Sequence, residues 1–363
     1  MKLIFLHQGS DNYDIKYQFS LKGLNVLMRK WEIDYDRSFP GVIFNQLERN
    51  AIERLITPRN ESMLKRHVKN IMATAYALLG ERTRMIISSQ IMKSRKIVRR
   101  DIRSYQPDKN IQSLSGCRRG LSFKHSSMPV LFSHDVDYKF CYSEVIKLGI
   151  LENKKGVKAT YNFLVNAGYS IDTEVLKELD SMGHEIGLHG YTYDLRVAFR
   201  KPKTIYSRLE NAKNCLESKL GKRIQGFRNH SLEYSFELLD VIDRLGFKYE
   251  SGIYPKQFQD NFNTFFCWPF YYKGKQLVEI PVIWPIDTDL FRTFNFSDQE
   301  ALQYTKERLN QVASLGGVAG LLYHPSIIST RMSFFSGLID FVLDNDFEIR
   351  NYRAFAEDCT KSE

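Results

Sequence analysis

Along the second half of the chain, short apolar runs alternate with longer segments whose apolar residues recur at helical spacing. The runs that read as strands are 129–136 (PVLFSHDV), 157–165 (VKATYNFLV), 184–189 (HEIGLH), 224–228 (IQGFR), 247–250, 277–284 (LVEIPVIW) and 317–323 (GVAGLLY). Between them, 173–182, 202–219, 234–245, 297–314 and 331–344 read as helices. Asp172 ahead of TEVLKEL and Ser297 ahead of DQEALQY are start signals, because a short side-chain oxygen accepts from the free N–H groups of a first helical turn. Strand–helix alternation over roughly 230 residues argues for a mainly parallel sheet covered by helices. Seven or so strands suit an open sheet or a closed barrel, and the pattern does not choose. In both, ligands sit at the carboxyl ends of the strands.

The first 125 residues read differently. Residues 62–102 have apolar positions at helical spacing, many good helix formers and a single Gly, and read as helix. Residues 105–128, with Pro107, Gly116, Gly120 and several Ser, read as a linker or surface loop. The expected division is a basic, largely helical domain or extension over 1–125 and an α/β domain over 126–363.

Charge sharpens that division. The net charge of the 363 residues is +10, and residues 61–124 alone hold fifteen Lys/Arg against four acids. The plain reading is a solvated helix face. The other is an anionic partner, such as a membrane surface or a pyrophosphate-bearing substrate. Nucleic acid ranks lowest, since no recognised module or aromatic-interleaved basic motif is present.

Composition excludes other classes. With 43% apolar and 13% aromatic residues, the chain has ample core material. Its five cysteines (117, 141, 215, 267, 359) are scattered and form no CxxC pair, which argues against a disulfide scaffold or a cysteine zinc site. No window approaches 18 apolar residues, and the N-terminal apolar run of four is too short for a signal peptide. The expectation is a soluble, reduced, cytoplasmic protein.

The unusual residues fall where strands end. Asp135 and Asp137 close 129–136, His189 closes 184–189, Arg228 and His230 close 224–228, Asp287 and Asp289 follow 277–284, and His324 follows 317–323. In a parallel sheet these ends share one rim. The set holds metal ligands and acid–base groups (Asp, His), and a fixed cation, Arg228, able to keep an aspartate ionised. There is no GxSxG elbow, P-loop or GxGxxG. Metal-assisted hydrolysis fits best among reaction classes. His184 lies at odd spacing from His189, and His134 at odd spacing from Asp135 and Asp137, so both face the other way and read as structural. Asp287 and Asp289 suit a loop as readily as a site. Trp268, Trp284 and the FFCWPFYY run read as packing, with sugar stacking as the alternative.

In order and content these pieces resemble the polysaccharide deacetylase superfamily (NodB-like, carbohydrate esterase family 4). FSHDVD resembles its aspartate-rich motif, ATYNFLV its second strand, GHEIGLHGYTYD its histidine motif, GFRNHS its arginine motif and LLYHP its late histidine motif. The resemblance covers about 129–345, and GHEIGLH is its most specific piece. The D-x-D spacing and the GLH…YD form look more like an intracellular, glycan-biosynthesis branch than like secreted chitin deacetylases.

The resemblance implies a distorted (β/α)7 barrel and removal of an N-acetyl or similar group from an amino sugar or glycan intermediate, nucleotide- or lipid-linked. It implies a divalent metal, zinc first. It makes Asp135 the general base, Asp137 and His189 metal ligands, Arg228 the residue that orients the base, and His324 the general acid. Val136 separates two acids that are adjacent in most of the family, so their roles could be exchanged. Tyr193 stands where a second metal histidine is usual, and a phenol, with a pKa near 10, is a poor zinc ligand. The missing ligand could then be His230 or water, or metal binding could be weak or lost. In that last case the chain would be a glycan- or nucleotide-sugar-binding protein on a decayed deacetylase fold.

Overall fold

The computed structural model describes residues 33–34, 63–94, 128–254, 267, 269–272, 276–314 and 316–361. The linker expected over 105–128 and residues 95–102 of the helical segment lie almost wholly outside them, as does Trp268.

The strands are β1 (Ile33–Asp34), β2 (Pro129–Val136), β3 (Thr160–Leu164), β4 (Glu185–Gly190), β5 (Gly226–Phe227), β6 (Tyr249–Glu250), β7 (Phe270–Tyr272), β8 (Val278–Glu279), β9 (Ala319–Tyr323) and β10 (Glu348–Arg350). Parallel pairing runs β9-β2-β3-β4-β5-β6-β8. A parallel bridge between Val282, just past β8, and Gly320 of β9 joins the two ends of this row. The seven strands therefore close on each other, the distorted (β/α)7 barrel that pattern alone left open against a flat sheet. β7 and β1 add antiparallel pairs beyond β8, and β10 pairs with the first half of β2.

The helices are α1 (Met63–Ala77), α2 (Glu81–Ser94), α3 (Tyr142–Lys154), α4 (Thr173–Ser181), α5 (Pro202–Leu220), α6 (Phe236–Arg244), α7 (Asp298–Ser314), α8 (Pro325–Ile328), α9 (Met332–Asp344) and α10 (Tyr352–Lys361). The two start signals act as read. Asp172 accepts from Glu174 N at 2.9 Å, and Ser297 accepts from Glu300 N at 3.2 Å while Glu300 returns the bond to Ser297 N at 2.9 Å. α6 buries Leu238, Leu239, Val241 and Ile242 against the barrel, each contributing about 1.5–3 kcal/mol.

Some elements differ from the pattern reading. The helical segment 62–102 is broken into α1 and α2 at Gly80 as far as it is described. α3 was not expected. Its β-branched residues and central Gly149 weaken the helical signal, yet a Cβ at Gly149 would come 2.7 Å from Leu179 of α4, so glycine is what lets the two helices approach. α10 and β10 were also missed. The strand expected over 277–284 pairs only at 278–279 and 282, because Pro281 lacks an N–H for the ladder.

Period-2 alternation sorts the barrel strands. Phe132, Val136, Phe163, Ile186, Leu188 and Phe227 face the helices. Inside, α10 closes the amino end, where Leu131, Val278, Ile280, Val318, Tyr352 and Phe355 pack together. The polar inward positions lie above this plug, towards the carboxyl ends.

Candidate active site

On β2, residues 133 and 135 face inward, and residue 137 continues the same parity just past the strand. The x of the D-x-D spacing is thus what puts both carboxylates into one mouth. His134 points outward instead. It is buried under α3, with Nε2 2.8 Å from Glu152 Oε1 and its ring 4.6 Å from that of Tyr161. His184 faces the same outer layer, its Nε2 3.0 Å from Gly149 O. Neither touches the rim.

Asp135 is 2% exposed and lies beside Arg228, 1% exposed. Arg228 Nη1 donates to Asp135 Oδ1 at 3.1 Å and to Ser133 Oγ at 2.7 Å, while its Nε and Nη2 donate to Ser251 O (2.8 Å) and Oγ (2.9 Å). Asn162 Nδ2 of β3 donates to the same Asp135 oxygen at 3.1 Å. Burial opposes the charge of Asp135, but His189, Arg228 and His324 outweigh it and hold the carboxyl below its ordinary value. Asn162 was not singled out in the sequence. Its signal was a carboxamide set between Tyr161 and Phe163 within a strand.

Asp137, His189 and His230 form a tight group whose facing atoms all lie within 4.8 Å of one another. His189 Nδ1 is 2.9 Å from Arg228 O. A carbonyl only accepts, so Nδ1 carries the hydrogen and Nε2 of the neutral ring presents a lone pair. That Nε2 faces Asp137 Oδ1 at 3.4 Å, Asp135 Oδ2 at 3.6 Å and His230 Nδ1 at 3.2 Å, while His230 Nδ1 is 3.3 Å from Asp137 Oδ1. Among the described residues Asp137 Oδ1 is buried without a hydrogen-bond partner. Acceptors converging on one point call for a cation, and one carboxylate with two imidazoles is a donor set suited to zinc. Burial lowers the affinity of His189 for a proton, yet Asp135 and Asp137 raise it above the ordinary value, so a proton and a metal compete for Nε2. For His230 burial prevails and holds the ring below the ordinary value. Burial also opposes the charge of Asp137, but His230 and His189 hold its carboxyl well below the ordinary range.

His324 completes the rim. Its Nε2 is 4.0 Å from Asp137 Oδ2, and its Nδ1 is 2.8 Å from Asp287 Oδ1. Asp287 is fully buried and also accepts from the His324 and Thr288 amides. It is thus the partner of His324, and the structure separates it from Asp289, which bonds Tyr254. Burial disfavours protonated His324, but Asp287 reverses this and raises the ring to about 9.

Tyr193 does not enter the group as a ligand. Its hydroxyl is 3.1 Å from that of Tyr138, and its ring centre is 4.2 Å from that of His230. Just beyond His230, Ser231 and Leu232 adopt left-handed backbone (φ 70° and 54°), strain of the kind that gathers at functional sites. Trp284 is buried against Phe294 and Tyr304.

Comparison with known proteins bears on the family and the fold. The sequence model of the polysaccharide deacetylase family matches residues 130–250. Two solved structures assigned as polysaccharide deacetylases are similar in fold. One, from Mycobacterium smegmatis, is 20% identical with a TM-score of 0.53, over 64% of this chain and 90% of that one. The other, from Pseudomonas aeruginosa PAO1, is 16% identical with a TM-score of 0.53, over 66% and 93%. No curated protein matches the chain.

Proposed function

We propose, from the match of residues 130–250 to the polysaccharide deacetylase family model and from the geometry of the site, that this chain is a metal-dependent hydrolase acting on the N-acyl amide of an amino sugar. The observation that carries this reading is the convergence of Asp137, His189 and His230 between two differently prepared groups, Asp135 and His324.

Asp137, His189 and His230 would hold the metal. When bound there, a divalent ion polarises the acyl carbonyl and makes a water more acidic. Asp135 acts as the base. Arg228 and Asn162 hold its Oδ1, and its Oδ2 faces the cluster to take the proton from water. Water oxygen adds to the acyl carbon, and the C–N bond then breaks. The leaving nitrogen needs a proton, and His324, kept protonated by Asp287, supplies it. Acetate and a free amine result.

With His230 as third ligand, Tyr193 need not mark a decayed site, and the enzyme reading is preferred over pure binding. A substrate still linked to a nucleotide or lipid, met in the cytoplasm during surface-polysaccharide assembly, suits the D-x-D form of the motif and the basic segment 61–124. Among the described residues no helix is long and apolar enough to cross a membrane. Residues 1–125 would then be a basic α-rich domain ahead of the catalytic one at 126–363, with α1 and α2 packed against it.

The test is metal analysis of the purified chain together with acetate release from a panel of N-acetylated sugar nucleotides and lipid-linked amino sugars. Asp135→Asn should abolish release while metal stays bound. Full activity in protein stripped of metal would sink the mechanism.

A further inference from the structure

Helices α1 and α2 lie outside the matched segment 130–250, yet α2 reaches the back of the site. Arg84 on α2 is 1% exposed. Its Nη2 donates to Ala167 O at 3.1 Å and its Nη1 to Ala77 O at 2.8 Å. The guanidinium carbon sits 4.4 Å from the centre of the Tyr193 ring. Tyr193 in turn lies 4.2 Å, ring to ring, from His230. Tyr76 of α1 closes the packing, its ring 5.9 Å from Tyr193 and its hydroxyl donating to Arg84 O at 2.9 Å.

We infer that Arg84 is a positioning residue for the Asp137–His189–His230 cluster, acting through Tyr193 to hold the His230 ring, so that the N-terminal helices are part of the site. This rests on the reading that the cluster holds a divalent metal.

The physical need is visible in the two histidines. A ligating histidine usually has its second nitrogen fixed by a hydrogen bond. His189 has that bond, to Arg228 O. Among the described residues His230 Nε2 is buried with no hydrogen-bond partner, and the backbone turns left-handed directly after it. Beyond the contacts of its Nδ1 within the cluster, the His230 ring rests on Tyr193. Tyr193 is itself pinned by the Tyr138 hydroxyl and by a cation over its face, an arrangement that also orients the ring. Arg84 is anchored at two carbonyls by its fork, which lysine cannot reproduce. On this account the tyrosine at 193 is a buttress for a histidine ligand supplied from elsewhere in the chain.

The experiment uses the full-length protein. Zinc affinity is measured by competition with a chromophoric chelator, and site geometry by the visible bands of the Co(II)-loaded protein. Arg84→Met should raise the zinc dissociation constant about tenfold and alter the cobalt bands. Arg84→Lys should do the same to a smaller degree. Arg84→Met combined with Tyr193→Leu should bind no more weakly than Tyr193→Leu alone, since both act along one path. Arg66→Met removes a bond from α1 to Phe199 O (2.9 Å) without touching Tyr193, and should leave zinc affinity at the wild-type value. Wild-type affinity and bands in Arg84→Met would overturn the inference, as would an equal loss in Arg66→Met. Failure of the wild-type chain to take up zinc or cobalt would instead overturn the metal reading beneath it, and the wild-type titration reads that separately.

Discussion

Replacing Arg228 by Met tests the buried charge pair at the centre of the site. Methionine keeps much of the volume but removes the cation that, among the described residues, is bonded to Asp135 Oδ1, and the donor to Ser251 O. Removing one partner of a buried ion pair costs about 3–5 kcal/mol, because the other charge stays buried without compensation. The orphaned carbonyl adds about 1–3 kcal/mol. A loss above about 4 kcal/mol at pH 7 is a large part of the 5–15 kcal/mol typical of a domain.

The sign of the pH dependence follows from Asp135. In the wild type its folded value is depressed, so its contribution is present above the ordinary carboxylate value and is lost as pH falls through the lower folded value. Without Arg228 the folded value rises, so the variant's Asp135 takes up its proton first on acidification. The stability gap should therefore be widest at pH 7 and narrow toward pH 4. Urea denaturation of metal-stripped full-length proteins at several pH values measures this, with Arg228→Lys falling between. A loss under about 1 kcal/mol at pH 7, or a gap that does not change with pH, would refute the reasoning.

The other predictions follow from the same contacts. Asp287→Asn removes the charge that holds His324 at about 9, so its value falls toward the ordinary histidine value of about 6.5 and the alkaline limb of kcat/KM moves down with it. A pH–rate profile reads that shift. Gly187→Ala should lower kcat by about tenfold or more, since the new Cβ would stand 2.2 Å from Asn162 Oδ1 and displace the amide that holds Asp135. Adding Asn162→Ala should recover thermal stability and not rate. Zinc at 100 times its dissociation constant should stabilise the wild type by about 2.7 kcal/mol, read as a rise in Tm, and His189→Ala and His230→Ala should lose most of that rise.

Much of the barrel was legible because it rests on short-range patterns. The alternation of strands and helices, the Asp172 and Ser297 caps, and the outward turn of His134 and His184 all follow from periods of 2 or 3.6 residues. α3 and α10 were not legible. Gly149 in α3 looks like a helix breaker until Leu179 is seen against its bare Cα. The rim residues Asp135, Asp137, His189, Arg228, His230 and His324 were each marked by a polar side chain at the end of an apolar run, and the structure brings all six together. Asn162 was not marked in that way, Asp287 was marked but not told apart from Asp289 or from a loop acid, and Arg84 lay in a segment read as a solvated basic face.

By itself the sequence determined the alternation of the main strands and helices, the faces of the residues in β2 and β4, and a rim of acids, imidazoles and one guanidinium. It could not determine partners. Asp135 meets Asn162 across 27 residues, Arg228 across 93, and His324 meets Asp287 across 37. Such meetings depend on strand register and on closure of the barrel between Val282 and Gly320. Only the tertiary structure decided that His230 faces His189 and Asp137, that Tyr193 backs it, and that Asp287 charges His324. Local periodicity sets a side chain's direction, and a shared interior sets what it meets there.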